Sequence, residues 1–113
     1  MHIDRMRYIL YNQFRVEQSK RRMGEMLDIN EETERNRLIE IMTEELPILR
    51  ARMRISQGDL ARSIGISRQT YSLIETRKQK MTWVTYMALI GFFVGNSKTK
   101  KHLSDLGLYT ELI

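Results

Sequence analysis

The sequence predicts an all-α fold, and three observations carry that reading. Apolar residues recur at steps of three and four along most of the chain. Alternating apolar and polar runs are lacking, as are Asn-Gly and Asp-Gly hairpin turns. One proline and six glycines in 113 residues leave little room for long linkers. Five to six helices are expected, in a length that suits about one ordinary domain.

The first helix is expected over about residues 3–27, where Ile3, Met6, Leu10 and Phe14 share a face before Lys20-Arg21-Arg22 interrupts the pattern. A loop near Asp28-Ile29-Asn30 follows. Asn30 is suited to cap the next helix, with Glu31, Glu32 and Glu34 favourably placed at its positive N-terminal end. Leu38, Met42, Leu46, Leu49 and Met53 then form a single stripe that continues across Pro47. Proline inside a helix removes a hydrogen bond and crowds the preceding turn. The pattern therefore leaves two readings: one helix kinked at Pro47, or a second helix with Pro47 in its first turn.

From Ser56 the chain reads SQGDLARSIGISRQTYSLIE. A helix opening at Gln57 with Ser56 as N-cap turns Leu60, Ala61 and Ile64 inward and ends at Gly65, where a left-handed backbone is easiest. Ile66 packs back. Ser67 caps a further helix, over 67–76, with Tyr71 and Ile74 inward and Glu75 at its end. Two short helices joined by a Gly-containing turn of three or four residues form a helix-turn-helix. Ala61 is small where the two would cross.

Thr82 is expected to cap the next helix, WVTYMALIGFFV, with Trp83, Tyr86, Met87, Ile90 and Val94 on one broad face and Phe93 nearby. This segment is apolar almost all round, which predicts burial on several sides. Part of its surface is expected to pack on the N-terminal segment or on a second subunit. A final helix, Lys98 to Leu106, ends at Gly107 and offers Leu103 and Leu106 to the same contact.

Charge narrows the function. The chain carries 19 basic and 14 acidic side chains, a formal net charge of +5. Residues 1–43 balance at eight of each. Residues 44–96 hold eight basic side chains against four acidic, and residues 97–113 three against two. The excess is thus concentrated in the central block, which is compatible with a polyanionic partner such as nucleic acid and also with a merely soluble basic protein. No cysteine is present, which excludes disulfides, a thiolate nucleophile and a Cys-built zinc site. The opening MHIDRMRYILYNQF has no apolar core and no small-residue cleavage site, and no cysteine is available for prenylation, so a cytoplasmic location is expected. The longest apolar stretch, near Met87–Val94, falls well short of the roughly 20 residues of a membrane-spanning helix. His2 and His102 lie far apart, neither in a metal-ligand spacing. No P-loop, dinucleotide fingerprint or nucleophile elbow occurs. The expectation is a protein that is not an enzyme, with no metal and no cofactor. The eight methionines, among them Met23, Met26, Met42 and Met53, read as core fillers.

The stretch Leu49–Glu75, LRARMRISQGDLARSIGISRQTYSLIE, resembles the Cro/repressor (XRE-type) helix-turn-helix family. Leu-Arg lies on the first helix, Ser-Gln opens the second, and Leu-Ala lies within it. Gly marks the turn, Ser-Arg opens the third helix and Ile-Glu closes it. The resemblance covers about residues 44–96; through TYSLIETRKQKMTW and the apolar helix after it, the chain is similar to short bacterial regulators of that family. It implies a lambda-repressor-like five-helix DNA-binding domain over 44–96, usually working as a homodimer on double-stranded DNA. Residues 1–43 lie outside the resemblance; their balanced charge gives DNA little to hold, so an N-terminal helical extension serving as a dimerising arm or the site of a protein partner is expected there, and at 97–113 a C-terminal helix and tail packed on the domain.

The resemblance places the third helix in the major groove. With Tyr71, Ile74 and Glu75 facing in, Arg68 and Gln69 become the main base readers, with Ser72 and Leu73 secondary. Arginine suits guanine and glutamine suits adenine. Gln57, Ser67, Thr70, Arg77, Lys78 and Lys80 are candidate phosphate contacts. Arg50 and Glu75 resemble the family's internal ion pair and are expected to bridge the first and third helices. The family usually has glycine about two residues after the closing Glu, where this chain has Arg77. A left-handed backbone there would strain a non-glycine residue by about 1 kcal/mol. The alternative function is a protein-interaction module, such as the antitoxin of a toxin–antitoxin pair.

Overall fold

The computed structural model describes residues 30–109, which form five helices and no strand. The fold is all-α over these residues. The helix expected over 3–27, and the loop expected at Asp28 and Ile29, lie outside them. The chain divides into two units, Met1–Glu34 and Arg35–Ile113. Of the first, residues 30–34 are helical; the remainder of the description concerns the second.

The first described helix, α1, covers residues 30–53. Asn30, the expected cap, is itself helical. The helix runs unbroken through Pro47, so the single-helix reading holds. Pro47 has no N–H to give the Thr43 carbonyl, and proline in a helix interior costs about 3 kcal/mol or more. Burial on the opposite side offsets this. Ile39, Met42, Leu46 and Leu49 are all buried, and each such side chain contributes roughly 1.5–3 kcal/mol. Pro47 and Ile48 face solvent. Ile39 takes the enclosed position expected of Leu38, which packs only partly against the core.

Four further helices follow: α2 at Gln57–Ile64, α3 at Arg68–Glu75, α4 at Trp83–Val94 and α5 at Ser97–Asp105. Each begins on a side-chain cap. Ser56, Ser67 and Thr82 accept backbone N–H groups as expected, and Asn96 does the same for α5. Four helix ends share one closure, in which a left-handed residue lets two trailing N–H groups turn back onto the last carbonyls. Gly65 (φ 82°) and Gly107 (φ 77°) hold that position after α2 and α5. Arg54 (φ 52°) and Arg77 (φ 62°) hold it after α1 and α3. The closing bonds of α1 are Arg54 N–H to the Ala51 carbonyl and Ile55 N–H to the Arg50 carbonyl, at 3.2 and 3.1 Å.

One core joins the five helices. Leu60 and Ala61 of α2, Tyr71 and Ile74 of α3, Tyr86, Leu89 and Phe93 of α4 and Leu103 of α5 pack with the α1 stripe and with Met81. Thr99 is fully buried, and its hydroxyl donates to the Phe93 carbonyl at 2.6 Å, fastening α5 to the end of α4. The buried face of α4 differs from the expected one. Thr85, Tyr86, Leu89 and Phe93 point inward, whereas Met87 is 52% exposed and Val84 78% exposed. The apolar run has no polar side to orient it, so spacing alone misassigned Met87. No helix among the described residues is long and apolar enough to cross a membrane.

Candidate nucleic-acid interface

Glu75, the last residue of α3, accepts two hydrogen bonds from Arg50 in the closing turn of α1. Arg50 Nε lies 2.9 Å from Glu75 Oε2, and Nη2 lies 2.7 Å from Oε1. Arg50 Nη1 also donates to the Ile55 carbonyl at 3.3 Å. The side chain of Glu75 is only 8% exposed and that of Arg50 21%. Burial, the largest single influence on Glu75, pushes its carboxyl up. Hydrogen bonding and charge from Arg50, with the polar groups of Tyr71 and Gln57 close by, outweigh it and hold the carboxyl below its ordinary range. The hydrogen bonds to Glu75 raise Arg50 in turn. The Tyr71 hydroxyl is buried beside the pair without a hydrogen bond of its own, and burial pushes it up. The expected ion pair is present, and it connects the end of α1 to the end of α3.

With Tyr71 and Ile74 buried beneath α3, its first turn faces outward. Arg68 and Gln69 are exposed, and Ser72 and Leu73 are half-buried. Ser67 Oγ accepts the Thr70 N–H at 3.0 Å and donates to Thr70 Oγ1 at 2.9 Å. The Thr70 hydroxyl keeps its own hydrogen to give. Arg68 lies against α2, where it lines a groove of about 520 Å³ with Ser56, Gly58, Asp59, Arg62 and Ile66. Gln57, a candidate phosphate contact, is half-buried.

The basic loop after α3 divides. Arg77 pairs with Glu40 of α1 at 2.9 Å, and Lys80 donates to Asn36 of the same helix. Lys78 is exposed, with no partner among the described residues. The backbone at Arg77 is left-handed (φ 62°), so the arginine there is strained.

Three features escaped the sequence reading. Glu40 and Asn36 hold the basic loop to α1, a pairing across some 40 positions that no local pattern signals. Arg54 repeats the left-handed geometry of Arg77. Gly58 lies under the Arg68 side chain; its signal was a glycine inside the first turn of a helix, where glycine has no helical advantage. On the far side of α1, Glu45 Oε2 lies 3.1 Å from His102 Nε2, and His102 Nδ1 is buried without a partner. No cluster of three or more His, Asp or Glu side chains able to hold a metal occurs among the described residues.

Comparison of the chain with protein-family models, with curated proteins and with solved structures returned no match.

Proposed function

We propose that the chain is a sequence-specific DNA-binding transcriptional regulator of lambda-repressor-like, Cro/repressor helix-turn-helix type, and not an enzyme. The observation that carries this reading is the orientation of α3. Its inner side is tied through Glu75 to Arg50, while its first turn presents Arg68 and Gln69 to solvent. In this reading Arg68, Gln69, Ser72 and Leu73 meet base edges in the major groove. Gln57, Ser67, Thr70 and Lys78 meet phosphates, and Arg77 and Lys80 join them by exchanging their present internal partners. Exchange is inexpensive for Arg77, because an exposed ion pair contributes about 0–1 kcal/mol. The protein acts in the cytoplasm as a homodimer on a palindromic site, with half-sites about 34–36 Å apart.

Selection of bound sequences from random duplex DNA tests this. A sharp motif with two-fold symmetry supports the reading, and recovery of random sequence counts against it.

A second reading is favoured by exposed Val84 and Met87 on α4. Apolar side chains so placed suit a protein partner, as in an antitoxin or other interaction module. Changing both to serine lowers the mass seen by light scattering if this face joins two copies. An unchanged mass leaves the face to a different protein.

A further inference from the structure

Gly58 is the one described glycine at which an added side chain would touch another residue's side chain. At Gly65 and Gly107 the backbone is left-handed, and a methyl group would meet open space. At Gly91 it would also meet nothing, and at Gly95 only backbone oxygens. Gly58 has no left-handed backbone, so conformational freedom does not account for it. A methyl group there would lie 3.5 Å from Arg68 Cδ and 3.9 Å from Arg68 Cγ. The aliphatic stem of Arg68 therefore passes alongside the first turn of α2, at contact distance from where a side chain at position 58 would begin and in the way of one that branches further.

We propose that Gly58 is a positioning residue that sets the specificity of Arg68, an inference that rests on the DNA-reading role proposed for α3. The contact confines a long side chain that no ion pair holds among the described residues. Confinement before binding reduces the ordering required on binding. It also fixes the direction of the guanidinium fork, which a two-bond contact with a guanine edge demands. Alanine at 58 places its methyl at an ordinary contact distance and leaves the stem in place. Valine adds two further carbons on that methyl position and displaces the stem.

The experiment selects sequences from random duplex DNA with the full chain, Arg68→Ala, Gly58→Ala, Gly58→Val and the double variant Gly58→Val/Arg68→Ala. Affinities for the selected and a random duplex are then measured at fixed salt, and folding is checked by circular dichroism. Arg68→Ala is expected to relax one base position, losing about five- to a hundredfold on the selected duplex. Gly58→Val relaxes the same position, Gly58→Ala retains it, and Gly58→Val adds nothing in the Arg68→Ala background. The proposal is overturned if Gly58→Val keeps the wild-type preference, or weakens selected and random duplexes equally. It is also overturned if Arg68→Ala relaxes no position. A wild-type chain that selects no motif removes the DNA-reading role itself, an outcome visible before any variant is compared. Should Gly58→Val fail to fold, relaxation of the Arg68 Nε–H group in the free wild-type protein decides: restricted motion supports the contact, and free motion overturns it.

Discussion

Arg50 and Glu75 meet in a two-pronged ion pair, 2.9 Å from Nε to Oε2 and 2.7 Å from Nη2 to Oε1, across 25 positions of sequence. The pair fixes where α3 ends relative to the last turn of α1. Removing one partner of a buried pair costs about 3–5 kcal/mol. Arg50 is partly exposed here, so Glu75→Ala is expected to cost somewhat less, about 2–3 kcal/mol, by urea denaturation at neutral pH. A loss within a few tenths of a kcal/mol of zero would show that the pair does not hold the helices.

The same residue gives a pH dependence. The folded state holds the Glu75 carboxyl below its ordinary range. A depressed carboxylate contributes stability that is complete above the unfolded value and is lost as pH falls through the folded one. Glu75→Gln is therefore expected to lose less stability than wild type between neutral and acid pH. Parallel stability profiles for the two would contradict the depressed value.

Arg54 and Arg77 hold left-handed backbones, at φ 52° and 62°. Such a conformation costs a non-glycine residue roughly 1–2 kcal/mol. Arg54→Gly is expected to raise stability by about 1 kcal/mol, since glycine also loses more freedom on folding. Arg77→Gly is expected to gain less, because it also gives up the exposed Glu40 pair. Thermal melts of both variants check the order, and a destabilising Arg54→Gly would contradict the strain.

Pro47 lies inside a continuous helix. Pro47→Ala restores an N–H toward the Thr43 carbonyl and is expected to stabilise by about 1–2 kcal/mol, the helix gain of about 3 being reduced by the freer unfolded chain. Destabilisation in a denaturant titration would instead place Pro47 in a first turn.

In the basic loop, Lys78→Ala is expected to weaken selected and random DNA alike and to reduce the salt slope by about one unit. An unchanged slope removes Lys78 from the phosphate contacts.

Much of the fold was legible because short-range chemistry decides it. Ser56, Ser67 and Thr82 cap helices with their own hydroxyls, Gly65 and Gly107 close them, and the spacing of Leu60, Ala61, Tyr71 and Ile74 fixes which faces turn inward. The Arg50–Glu75 pair was legible only through the resemblance. Pro47 was undecidable locally, because its cost is offset by Leu46 and Leu49 burying against distant helices. The α4 face was misread at Met87 because an apolar helix carries no polar side from which to read its orientation. At the candidate site, the exposed first turn of α3 followed from periodicity. The ties of Arg77 to Glu40 and Lys80 to Asn36, and the bed that Gly58 makes for Arg68, are tertiary contacts that spacing does not encode.

The central claim is that α3 reads DNA sequence from a base held by Arg50 and Glu75. Selection from random duplex DNA, repeated with Arg68→Ala, tests it most directly. The account predicts a palindromic motif for the wild-type chain, with half-sites about one helical turn apart, and relaxation at a single base position of each half-site for the variant. A wild-type selection without a motif, or a variant weakened equally on every sequence, would contradict it.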